Sequence, residues 1–103
     1  MKYMPLMAIK QSAAGAGEDV DGSADTITIP NKADGSKAEF ILVTVSEDTY
    51  VRVGAAGDTV SNVNGVIVTP ESGGMIFACG GQTTVHHLQV STGGRICVTP
   101  LEA

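Results

Sequence analysis

The residues best suited to chemistry are two adjacent histidines, His86 and His87, and two cysteines, Cys79 and Cys97. A structural zinc site needs four ligands, and no Cys-x-x-Cys or His-x-x-x-His pair supplies two of them at ligand spacing. Neighbouring side chains of a strand point to opposite faces, so the two imidazoles should diverge. We therefore expect no metal site and no cofactor. One histidine should be partly buried and hydrogen-bonded, and the other should lie at a surface or subunit contact.

Enzymatic activity is not expected. The chain has no Gly-x-Ser-x-Gly elbow, and "GAGEDV" at 15–20 lacks the third glycine of a dinucleotide-binding loop. Cys97 with either histidine is a conceivable nucleophile, because a thiol beside a base is a common catalytic pair. A thiol in the middle of a strand, however, is normally inert packing.

Composition and charge narrow the classes of function. The length of 103 residues predicts one domain, and the net charge of −5 with six basic residues argues against binding to nucleic acid or to an acidic membrane. No segment approaches the ~20 apolar residues of a membrane helix. The beginning, "MKYMPLMAIKQ", has no signal-peptide core, so we expect a cytosolic product whose cysteines stay reduced.

Apolar alternation with a period of two dominates the chain and predicts an all-β fold. About eight short antiparallel strands follow at the spacing of a small β-sandwich, either jelly-roll or immunoglobulin-like. Residues 26–103 should form the sandwich. Residues 1–25 should form an N-terminal strand, "MPLMAI", and a flexible arm that is rich in small and acidic residues.

Two segments give more detailed expectations. "AEFILVTVS" at 38–46 is apolar on both faces, which predicts a central strand covered by the core and by a loop, the arm or another subunit. "TTVHHLQV" and "RICVTP" are predicted to pair as a hairpin through "STGG", and Asn64-Gly65 is the strongest two-residue turn signal.

Open strand edges and apolar outward faces favour association with other chains. The alternative is a monomer whose edges are covered by its own arm. The candidate subunit or capsid contacts are Tyr50, Arg52, His86, His87, Met4 and Leu6.

Four segments in succession carry a family resemblance: "TYVRVG", "AAGD", "TPESGGMIFACGG" and "TTVHHLQVSTGGRICVTPLEA". They resemble small β-sandwich virion proteins of tailed bacteriophages. In that group a strand of the type x-Tyr/Phe-Val-Arg-x-Gly precedes a loop, a small-to-apolar run follows, and the chain ends near Val-Thr-Pro-x-Glu. The resemblance covers residues 38–103 and carries across no catalytic residues.

The resemblance implies a decoration or cement subunit on the outer surface of the icosahedral head, made in the host cytoplasm. It would associate with itself, commonly as a trimer, and bind the major capsid protein. Two alternatives remain open. One is a head–tail connector or tail component, which predicts rings of six or twelve subunits. The other is a small metal- or ligand-binding β module that uses the histidines and cysteines.

Overall fold

The computed structural model describes residues 10–102, and these residues form a sandwich of two antiparallel sheets. A short 3₁₀ turn, Pro70–Ser72, joins the sixth and seventh strands. The strands are β1 (Lys10–Gln11), β2 (Ala16–Val20), β3 (Asp25–Thr28), β4 (Phe40–Val45), β5 (Thr49–Gly54), β6 (Val66–Val68), β7 (Met75–Ala78), β8 (Thr84–Gln89) and β9 (Gly94–Glu102). The predicted all-β sandwich is therefore confirmed.

Sheet A contains β7, β4 and β9, with β1 and β2 following one another along the free side of β9. Sheet B has the order β3-β8-β5-β6. Because β2 contacts β3 across the sandwich, the opposite edges, β6 and β7, also lie on one common side. The sandwich thus has one side built from the first three strands and one side built from β6 and β7.

The core is aliphatic, as the scarcity of aromatic residues predicts. Val43 and Val98 face inward from sheet A, and Val51 and Val85 face inward from sheet B, each with no exposed surface. Alternate residues of these strands point away from the core, which is the period-two pattern seen in the sequence. Burial of these branched side chains gives roughly 1.5–3 kcal/mol each and provides most of the driving force for folding.

The predicted flexible arm differs from the structure over residues 10–25. Strand β2 pairs with β9 from Ala16 opposite Val98 to Val20 opposite Gly94, and Val20 is buried. Gly15, just before β2, allows this close approach, because a Cβ there would lie 2.8 Å from Thr99 Oγ1. The charged, glycine-rich composition concealed an edge strand. The predicted strand "MPLMAI" lies outside the described residues.

The predicted hairpin of the last two strands is wrong. β8 belongs to sheet B and β9 to sheet A, so the short link at 90–93 crosses from one sheet to the other. Gly93 and Gly94 allow the chain to pack closely against its neighbours at this link. A Cβ on Gly93 would lie 2.6 Å from the backbone oxygen of Val20, and one on Gly94 would lie 2.5 Å from Ser46 Oγ. Alternating patterns identify strands but do not show which strands pair.

Asn64-Gly65 does not form the predicted two-residue hairpin turn. It ends an eleven-residue connection, residues 55–65, between the paired strands β5 and β6. The Gly65 N–H donates to Ser61 O, and Asn64 Oδ1 accepts a hydrogen bond from the Ser61 N–H at 2.7 Å. The two residues close a local turn inside this connection, which we call the β5–β6 loop.

Candidate assembly surfaces

His87 is buried between the two sheets. It lies opposite Val51 in the register of sheet B, and its side chain has no exposed surface. Its Nε2 forms a short hydrogen bond with Glu18 Oε1, which reaches inward from β2 of sheet A. His87 Nδ1 has no hydrogen-bond partner among the described residues. This arrangement suits a ring in which Nε2 carries the proton and donates to the carboxylate. Nδ1 then has a lone pair, so no second N–H donor is buried without a partner.

His86 faces the other way and is also buried. It lies on the outer face of sheet B opposite Arg52, and its Nε2 is 2.8 Å from Ala55 O in the β5–β6 loop. A carbonyl oxygen only accepts, so His86 Nε2–H is the donor. The prediction that the imidazoles diverge is confirmed. The prediction that one of them is at the surface is wrong, because the loop covers the second face, and neither histidine is a surface contact in this subunit.

Arg52 fastens the same loop to the sheet. Its Nη1 donates to Thr59 O at 2.8 Å, and its Nη2 lies 3.7 Å from Asp58 Oδ2. Asp58 Oδ2 also accepts the Ala55 N–H at 3.1 Å. The Arg52 side chain remains about one-third exposed, but its donors are directed at its own chain. Its observed contacts are therefore intramolecular.

Tyr50, another predicted contact residue, is also partly accessible in the structure. It is half-buried on the outer face of sheet B, opposite Leu88 and Ile67. It lines a shallow groove of about 370 Å³ together with Leu88, Ser61 and Gln89. A tyrosine in this position offers an apolar ring and a hydroxyl to a partner. The other two predicted contacts, Met4 and Leu6, lie outside the described residues.

The two thiols are free and occupy different environments. Cys79 is packed in the core, and its burial raises the pKa of the thiol. Cys97 is half-buried on the outer face of sheet A, beside Thr44 and Thr99. Within residues 10–102, no three histidine, cysteine or acidic side chains lie close enough together to hold a metal ion.

The two sides of the sandwich differ in charge. Strands β1, β2 and β3 carry Lys10, Glu18, Asp19 and Asp25, and charged side chains are a common protection of sheet edges. Strands β6 ("VIV") and β7 ("MIFA") carry no charge. Among the described residues, the large apolar side chains with the most exposed surface are on or beside these strands: Val63 at 89%, Val66 at 48%, Ile67 at 46% and Ile76 at 39%. We call this side of the molecule, formed by β6, β7 and Val63, the bare side.

A second apolar area occupies part of the outer face of sheet A. Four side chains, from β1, β9, β4 and β7, form a row across one end of the sheet: Gln11, Leu101, Phe40 and Ala78. The charged residues Asp19 and Arg95 lie at the opposite end of this face, where they form an ion pair of 2.8 Å. The face is therefore divided into an apolar end and a polar end.

No family model, no curated protein and no solved structure matches this chain. Residues 10–102 contain no helix that is long and apolar enough to cross a membrane. The function must therefore be argued from the geometry of the sandwich and from the motifs in the sequence.

Proposed function

We propose that the protein is a structural subunit of a bacteriophage virion that decorates and stabilises the outside of the head. It associates with copies of itself, with a trimer as the expected unit, and binds the major capsid protein. The observation that supports this role best is the bare side: the uncharged edge strands β6 and β7 lie on one side of the sandwich, with exposed Val66 and Ile67 on β6 and exposed Ile76 on β7. Open edges of this kind can pair with another chain.

The strength of each contact fits an assembling subunit. Burying the exposed half of a Val or Ile side chain gains on the order of 1 kcal/mol. One such patch gives weak association, but the same contact repeated by symmetry gives strong overall attachment. Many modest contacts between neighbouring subunits would resist rupture of the shell by the pressure of packed DNA.

The charge favours the outer surface of the head. A net charge of −5 is repelled by the phosphates that line the interior of a filled head. The acidic residues of β2 and β3 lie on the other side of the sandwich, so the bare side is the less polar of the two. Binding through β6 and β7 would therefore place the acidic edge away from the partner.

The mass of the native assembly tests this role and separates it from the alternatives. We expect native mass measurement to give trimers, and we expect labelled protein to decorate heads in electron micrographs. Rings of six or twelve subunits located at the head–tail junction would replace the decoration role with a connector role. A monomer at all concentrations that binds no particle, or a stoichiometric metal ion found by elemental analysis, would contradict the proposal.

A charge placed on the bare side tests which surface is used. The double variant Ile67→Lys/Ile76→Lys should lose self-association and particle binding, because a partner would have to bury two ammonium groups. The matched control is Ala14→Lys, which adds the same type of charge at an exposed position between β1 and β2. Equal loss in both variants would show that net charge, and not the bare side, controls binding.

A further inference from the structure

One end of the outer face of sheet B is an open groove. The β5–β6 loop buries His86 at the other end of this face, where Ala55 O accepts its hydrogen bond. The next pair on the same face, Tyr50 and Leu88, stays half-buried. These two side chains line the groove of about 370 Å³, and its other lining residues are Gly22, Ser61, Asn62, Gln89 and Val90. None of these residues belongs to β6 or β7, so the groove is separate from the bare side.

The polar groups around the groove are neutral and available. The Asn62 side chain is exposed, and within residues 10–102 neither its amide nor the Tyr50 hydroxyl makes a hydrogen bond. The Gln89 amide makes one long hydrogen bond, of 3.5 Å from Nε2 to Ser91 O, so its oxygen can still accept. Each amide presents both donors and an acceptor. The groove thus combines an aromatic ring with uncharged groups that can donate and accept.

These properties indicate the chemistry of a ligand. An anion is repelled by the net charge of −5, and a cation finds no carboxylate among the lining residues. Hydroxyl groups both donate and accept, so they match the amides of Asn62 and Gln89. A sugar ring carries such hydroxyls and also a face of C–H groups, which can pack on the electron-rich face of an aromatic ring. The volume lies in the range of about 300–1,000 Å³ that is usual for small-molecule sites.

We infer that this groove binds a neutral sugar ring. Tyr50 is the platform on which the ring stacks, Leu88 extends the apolar floor, and Asn62 and Gln89 bind the hydroxyl groups. Because the groove is shallow, it covers a single ring only in part, and we expect a Kd of about 1–10 mM for a monosaccharide. The inference is independent of the virion role, since it requires neither a trimer nor a capsid.

Titration of the isotope-labelled, full-length protein with neutral sugars tests the inference by NMR. The probes are glucose, galactose, mannose and N-acetylglucosamine, and the control compound is glycerol, which has hydroxyl groups but no ring. We expect saturable shifts of the Tyr50, Asn62, Leu88 and Gln89 resonances with at least one sugar and none with glycerol. The inference is overturned if no sugar gives saturable shifts, or if glycerol gives the same shifts as the sugars.

Substitutions separate the stacking contact from the hydrogen bonds. Tyr50→Phe keeps the ring and should change the affinity less than about threefold, whereas Tyr50→Ala should lower it about tenfold or more. Asn62→Ala removes an exposed amide and should lower the affinity about threefold to tenfold, and it decides the question if Tyr50→Ala does not fold. The matched control is Asn31→Ala, at an exposed position outside the groove, which should bind as the unmodified protein does. Equal affinities in Asn62→Ala and Asn31→Ala would contradict the assigned site.

The native mass of the same variants distinguishes a sugar site from a contact between subunits. We expect Tyr50→Ala to have the same native mass as the unmodified protein while it loses sugar binding. Dissociation of the assembly by Tyr50→Ala, with no sugar bound by the unmodified protein, would assign the groove to a subunit contact instead. Loss of sugar binding in a protein that is a monomer throughout would contradict the virion role and leave the sugar site in place.

Discussion

At the scale of single residues, the contact between His87 and Glu18 couples the two sheets at their charged edge. The imidazole is fully buried, whereas the carboxylate is about one-third exposed, so solvent reaches only one member of the pair. His87 Nδ1 has no hydrogen-bond partner in the described part of the chain. The hydrogen bond between Nε2 and Glu18 is therefore the one that the buried ring makes there. Buried polar groups without partners are costly in a small sandwich of marginal stability.

Removing this carboxylate should therefore destabilise the protein. We expect Glu18→Ala to lower the free energy of unfolding by about 1–3 kcal/mol, because it leaves the buried ring without a hydrogen bond. Asp19→Ala is the matched control. Its ion pair with Arg95 is largely exposed and should contribute about 0–1 kcal/mol. Urea denaturation at neutral pH measures both variants, and equal losses would show that the buried pair is no stronger than the exposed one.

The two thiols should react at different rates. Burial raises the pKa of Cys79, so at pH 8 it has a smaller thiolate fraction than an exposed cysteine and is also shielded from reagents. Alkylation of the native protein should modify Cys97 faster than Cys79, by about tenfold or more, and unfolding should remove the difference. The variants Cys79→Ser and Cys97→Ser identify each reaction. Equal rates of alkylation of the two thiols in the folded protein would show that Cys79 is not buried in the core.

The raised pKa of Cys79 also determines how the stability of the protein should change at alkaline pH. The folded protein holds the thiol proton more tightly than the unfolded chain does. The contribution of this thiol to stability is therefore complete below its pKa in the unfolded chain, 9.0, and is lost as the pH rises through the higher pKa of the folded state. We expect alkaline pH to destabilise the unmodified protein more than Cys79→Ser in paired denaturation curves.

Residue-scale prediction from the sequence was partly successful. The divergence of His86 and His87 follows directly from strand geometry, and the structure confirms it. The burial of both rings could not be predicted, because it depends on two distant partners, Glu18 and Ala55. The sequence signal for Glu18 was its place in the segment "AGEDV", in which exposed and less exposed residues alternate. This signal is weak, because Val20 is the only branched apolar residue of the segment.

At the scale of elements, the sequence predicted a sandwich of short strands but not which strands pair. The period of two is a local property, and in the β5 segment "TYVRVG" it places Val51 inward and Arg52 outward. Pairing depends on long-range contacts instead. The link from β8 to β9 has the glycines and serine of a hairpin turn, yet it changes sheet, because Gly93 and Gly94 pack against Val20 and Ser46.

The close packing of this link gives a test at the element scale. Gly93→Ala places a Cβ within 2.6 Å of a backbone oxygen that cannot rotate away, so we expect a loss of about 1–3 kcal/mol in the free energy of unfolding. Gly57→Ala, in the β5–β6 loop, meets nothing within 4 Å and should be neutral or slightly stabilising. Thermal and urea denaturation compare the two. A tolerated Gly93→Ala would mean that the link is not tightly packed.

At the scale of the whole molecule, the sandwich has an unequal distribution of charge between its two sides. The edges formed by the first three strands carry charged residues, whereas the edges formed by β6 and β7 have none. Composition alone gives the net charge but not this separation, because it arises from the order of the strands in the two sheets. The proposed assembly role depends on that arrangement.

Self-association through the bare side should make thermal stability depend on protein concentration. Anything that binds the folded state but not the unfolded state raises the apparent stability by mass action. We therefore expect Tm to rise with concentration for the unmodified protein and for Ala14→Lys, but not for Ile67→Lys/Ile76→Lys. Calorimetry over a hundredfold range of concentration measures this effect. A constant Tm in the unmodified protein would indicate that the subunit gains no stability from its copies.

The position of β9 has a consequence for biosynthesis. This strand follows all the other strands in the sequence, yet it lies between β4 and the β1–β2 edge and is the direct partner of both. During translation, sheet A cannot close until β9 has left the ribosome. Sheet A should consequently be completed only after all of its other strands have been made, with the slow kinetics typical of all-β proteins dominated by contacts distant in sequence.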